Sequence, residues 1–220
     1  MGAGYMLRVG TVALSLLSAH ALLAYEHPLD THSIREAYFL GSRKDDKVAK
    51  FLGQYLKRLP VPKTGSHVAE IGIRTPYSQV VLRSFQAPGN YSAQQAEQDY
   101  QAQPDRIVVR VRINLTPTYP GYLPDPTRGK GAIRERPPDF WRDFEIRVVQ
   151  DKTIRPGRVR GRPLYPSTLV GPVPPAGALQ GAEVELEFDT AQISSAPVRV
   201  EVLTPDGQTV EAEFDLKALR

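Results

Sequence analysis

The chain has 220 residues, with 28 Lys and Arg against 24 Asp and Glu, a formal net charge of +4 and no cysteine. That composition excludes thiolate-ligated zinc, iron-sulfur clusters, thiol nucleophiles and disulfide staples. A net charge this small gives no general argument for a polyanionic partner.

Arg8 precedes the apolar run Val9–Ala24, which ends in the small residues Ala19 and Ala21. A positive lead, a short apolar core and small residues two apart are the pattern of a secretory signal, so residues 1–21 are expected to be removed and the protein exported, periplasmic or extracellular. The run is shorter than the about 20 residues a spanning helix needs, so an uncleaved anchor is the less favoured reading. Residues 22–62 are then expected to form a helical segment. Residues 63–220 are expected to form a β-sandwich domain with Pro-rich loops at 116–138 and 163–181.

In chain order, Ser33 and Glu36 have the spacing of a capping box for a first helix that Gly41 would end. Val48, Phe51, Leu52, Tyr55, Leu56 and Leu59 recur at helical spacing, predicting a second helix that stops at Pro60. Beyond Pro62 the period shortens to two. Val68–Arg74 and Gln79–Phe85 read as a hairpin across Thr75–Ser78. Ser92 and Gln95 cap a polar helix over 93–102, and 107–115 alternates apolar with polar as a strand wet on one face. Thr116–Pro138 is too rich in proline for a central strand.

Phe144, Ile146 and Val148 resume the alternation, and 154–162 reads as a basic, Pro-interrupted edge. The last third alternates cleanly at 183–188, 198–202 and 210–216. Thr204-Pro-Asp-Gly207 supplies the turn between the last two. Together these elements predict a mainly β fold, an antiparallel immunoglobulin-like sandwich with an N-terminal helical hairpin packed on it.

Charge is distributed in blocks. Arg128–Arg162 contains eleven Lys or Arg against five acids, whereas Glu183–Asp215 contains nine acids against Arg199 alone. Such blocks either face each other or face different partners.

No nucleophile elbow, zinc-protease helix, dinucleotide loop or phosphate-binding loop is present. His27, Asp30 and His32 match no ligand spacing, and Asp30 serves equally as a helix cap, so no metal or other cofactor is expected. Export, modest charge and the lack of a recognition module argue against nucleic acid. Contact with a membrane is expected only through an uncleaved N-terminal segment.

Tyr119, Tyr122 and Trp141 flank or lie in the Pro-rich loop, where flat rings suit stacking on sugars or prolines, and they are the candidate binding residues. The leading expectation is a non-enzymatic exported module that binds a protein or a cell-envelope glycan. The alternative is a secreted hydrolase acting on glycans through a carboxylate pair that sequence does not identify.

Overall fold

The computed structural model describes residues 27–166 and 179–220. The expected signal segment and most of the second Pro-rich loop lie outside the described residues. The described chain is mostly β, with eleven strands in antiparallel sheets and four α-helices.

Helix α1 (Thr31–Ser42) is capped by Asp30, whose carboxylate accepts from Ser33 N–H at 2.7 Å. The cap therefore lies one turn earlier than the Ser33/Glu36 spacing suggested, and Glu36 instead meets Arg220. Gly41 does not end the helix but lies buried inside it. A β-carbon there would lie 2.2 Å from Val81 O, so its bareness lets a neighbouring helix approach.

Helix α2 (Asp46–Gly53) is capped by Asp45. It stops six residues before the expected end, because Leu56–Arg58 forms strand β1 on the edge of β2 (His67–Arg74). Tyr55 O accepts from Ile73 N–H, and Leu59 N–H donates to Ala69 O. The ladder of β2 thus supplies backbone partners that another helical turn would have had to find within itself.

The expected hairpin at 68–85 is corrected in its second half. Gln79–Phe85 belongs to helix α3 (Pro76–Gln86). Thr75 is its N-cap, accepting from Ser78 N–H at 3.2 Å, and Pro76 occupies the first turn, where its missing N–H costs nothing. Tyr77, Val80, Val81 and Ser84 make its buried stripe. Helix α4 (Ala93–Gln101) has the expected capping box of Ser92 and Gln95. Helix α1 packs on α3 and α4, and Ile34, Ala37, Val48, Tyr77, Val80, Val81 and Ala96 form a helical core.

The remaining strands are β3 (Arg106–Asn114), β4 (Tyr122–Pro124), β5 (Ile133–Glu135), β6 (Glu145–Val149), β7 (Thr153–Ile154), β8 (Arg158–Leu164), β9 (Gly181–Asp189), β10 (Pro197–Leu203) and β11 (Thr209–Asp215). They form a five-stranded sheet, β1-β2-β3-β9-β8, a four-stranded sheet, β11-β10-β6-β7, and the small ribbon β4-β5. The ribbon lies within the first Pro-rich loop. Between β10 and β11, Thr204–Gly207 makes the expected turn, with Gly207 at φ +82°.

Both larger sheets contribute to one apolar core. Ile71, Ile73, Val109, Val111, Val184, Leu186 and Phe188 come from the first, and Val148, Val200, Val202, Ala212 and Phe214 from the second. Strict alternation along β3 and β9 sends the apolar set inward and the charged set to the opposite face of the five-stranded sheet.

Candidate binding face

On that outer face the register lines up charges across the strands. Arg58 lies opposite Glu70, Glu70 opposite Arg112, Arg112 opposite Glu183 and Glu183 opposite Arg162. One row across five strands therefore reads positive, negative, positive, negative, positive. The next row carries Arg110, Glu185 and Arg160, and the one after it Arg74, Val108, Glu187 and Arg158. Arg106 closes the face at the end of β3.

The two charge blocks of the sequence thus face each other in part, with β9 as an acidic strand between the basic strands β3 and β8. Opposite charges on neighbouring strands are favourable cross-strand pairs, which explains why this register is held on the wet face as well as on the dry one.

Some ion pairs join residues directly opposite, as Arg162 and Glu183, and others run diagonally, as Arg110 and Glu183. Glu183, only 7% exposed, accepts from Arg110 at 3.2 Å through one oxygen and from Arg162 at 2.8 and 3.1 Å through the other. Those bonds hold the Arg162 proton more firmly than usual. Glu187 is paired with Arg106 and with Arg160, the latter at 3.0 Å, and Glu185 with Arg74 at 3.6 Å. Burial lowers the pKa of Arg74, and neighbouring Arg110 adds to that effect, while Glu185 opposes it.

Each central glutamate of β9 is therefore engaged by arginine. Positive charge remains in excess. Arg58 and Arg74, Arg106, Arg110 and Arg112, and Arg158, Arg160 and Arg162 are eight arginines against five acids, Glu70, Glu183, Glu185, Glu187 and, opposite Arg106, Asp189. Arg112 and Arg158 are exposed and have no carboxylate partner among the described residues.

The helical layer leaves most of this face open and borders it with a cleft. A cavity of about 500 Å³ lies between α3 and α4, with Gln79, Arg83, Tyr91 and Asp99 in its walls and Arg74 and Arg106 at its sheet end. A groove of about 470 Å³, lined by Arg106, Gly157, Arg158 and Glu187, adjoins it through Pro104–Arg106. Gln79 fixes the junction by donating its amide to Arg106 O at 2.7 Å.

The aromatic candidates occupy other positions. The Tyr119 ring packs with Phe140 and Phe144, each 6.2 Å away between centroids, and the Arg136 guanidinium covers it at 3.7 Å. Trp141 lies flat on the backbone of β8, where a β-carbon on Gly161 would come within 2.1 Å of its ring. Both rings pack against the apolar core, whereas Tyr122 stands half-exposed on β4 and is not part of that packing.

His32 is exposed and lies 3.8 Å from Glu36, and among the described residues no group of three His, Asp or Glu is placed to hold a metal ion. The arginines of β2 and β3 were not singled out in the sequence. Their signal was the alternation of Arg106, Arg110 and Arg112, the counterpart of Glu183, Glu185 and Glu187. The chain matches no protein-family model, no curated protein and no solved structure.

Proposed function

We propose that this protein is an exported, non-enzymatic binding module of the cell envelope or extracellular space. Its scaffold is an immunoglobulin-like sandwich, and its contact surface is the outer face of the five-stranded sheet. The observation that carries the reading is an open sheet face with eight arginines against four glutamates and one aspartate, two of the arginines without an ion pair. An acidic protein segment or an acidic envelope glycan is the kind of partner such a face attracts. Two facing antiparallel sheets with a common core support the choice of scaffold. The signal pattern of residues 1–21 supports export.

The test is retention on an immobilised acidic polymer compared with a neutral one. The double variant R112Q/R158Q removes charge at exposed arginines that hold no ion pair and sets no acid opposite Glu70, Glu183 or Glu187, so it should stay close to the wild-type melting temperature and elute at clearly lower salt. Equal retention of variant and wild type would remove the face as contact surface. Mass spectrometry of the protein from its host should find a form beginning at Leu22, and a soluble form that keeps Met1 to Ala21 would remove export.

A further inference from the structure

Strand β8 is the last strand of the five-stranded sheet, and on its far side no described strand pairs with it. Along the cross-strand rows the charge alternates in sign and stops on its arginines. Arg158, Arg160 and Arg162 project to the outer face. On the inner face the same strand leaves Val159 46% exposed and carries Trp141 over Gly161. An edge with alternating basic and apolar side chains has a definite complement: an extended segment with acids at every second position and apolar residues between them.

We propose that β8 accepts such a segment as a sixth strand. The proposal rests on reading the outer face as the contact surface, and it names the partner class as an extended acidic peptide. Charge complementarity selects that occupant over a second copy of the chain, because pairing two β8 edges would set arginine against arginine. Residues 167–178 contain no acid, so they cannot extend the charged rows.

The chain already shows the pairing chemistry. Strand β9 carries Glu183, Glu185 and Glu187 alternating with Val184, Leu186 and Phe188, and it engages β8 from the other side through Glu183 and Glu187. A guest of the same pattern would place its acids beside Arg158, Arg160 and Arg162 and its apolar residues beside Val159 and the Trp141 ring. Main-chain bonds would supply affinity and the alternate side chains selectivity.

The experiment titrates the full chain with a synthetic peptide copying Gly181–Asp189 and follows fluorescence from Trp141, the protein's one tryptophan. Saturable binding with a shift in emission is expected. It should be at least tenfold weaker for the peptide with Gln in place of the three Glu, and clearly weaker for R158Q, whose arginine has no ion pair to lose and whose glutamine sets no acid opposite Glu187. Two further peptides carry N-methyl groups on one or the other alternate set of residues, and one of the two should lose binding.

Equal affinity for the Glu and Gln peptides would overturn the proposal, as would equal binding of both methylated peptides or self-association of the protein at the β8 edge. If the peptide fails while the acidic polymer is still retained through Arg112 and Arg158, strand addition falls and the contact face stands. If both fail, the reading of the face falls with it.

Discussion

Tyr55 shows how one side chain ties the core of the sheets to the last residue, Arg220. Its ring is 4% exposed in the core of the sheets, while its hydroxyl donates to Arg220 O at 2.7 Å and accepts from Arg220 N–H at 3.0 Å. Burial is the main cause that pushes the phenol up to about 12, against the opposing bonds from Thr75 and Arg220. The folded chain therefore holds this proton more tightly than the unfolded chain, in which the phenol titrates near 10. The associated stability is intact below pH 10 and is lost as pH rises from 10 to about 12, a loss of about 2–3 kcal/mol from Tyr55. Tyr91 is raised to about 12 as well, by burial and then by its hydrogen bond to Asp99, but its partial exposure makes its effect smaller. In urea unfolding at pH 8, Tyr55→Phe should cost about 1 kcal/mol for the lost hydrogen bonds. The gap to wild type should close at about pH 11 and reverse by about pH 12, and curves that stay parallel over that range would contradict a buried, protonated Tyr55.

At the scale of elements, α3 depends on its cap. The Thr75 hydroxyl accepts from Ser78 N–H and also donates to Arg220 O, so Thr75→Val, which keeps the shape and removes both bonds, should cost about 1–2 kcal/mol. Thr75→Ser should cost far less, and a valine variant melting with wild type would detach α3 from this cap. The same segment shows where sequence reading stops. Thr-Pro is a turn signal and a helix start alike, and Val80, Val81, Leu82 and Phe85 fit either period. What decides is the partner: Gly41 on α1 offers a bare surface for Val81 and Ser84, a contact between residues about forty positions apart. Likewise the spacing of Tyr55, Leu56 and Leu59 continues that of α2 only by coincidence, because the choice is made by the free edge of β2. Elements whose signal lies within their own residues were legible: the Ser92/Gln95 capping box, the turn at Thr204–Gly207, and the long alternations of β3, β9, β10 and β11.

For the whole molecule, the charged face was legible as two opposed charge blocks. Their interleaving was not, since it depends on a register that places Arg110 beside Glu183 across more than seventy residues. Tyr119 and Trp141 pack as part of the scaffold because the loop carrying them folds back on the core. Unity of the fold rests on Phe51. It packs against both the helical core and the core of the sheets, with its ring 5.1 Å from Tyr55 and 5.9 Å from Tyr77. Truncating this half-buried ring in Phe51→Ala should cost about 2–3 kcal/mol. Two signals separate the layers, because circular dichroism at helical wavelengths reports α1 to α4 while fluorescence reports Trp141 against β8. Since Phe51 belongs to both cores, the two unfolding transitions should coincide in wild type and move together in Phe51→Ala. If Trp141 keeps the wild-type midpoint while the helical signal falls early, the helices are a separate cooperative unit and Phe51 does not couple them to the sheets.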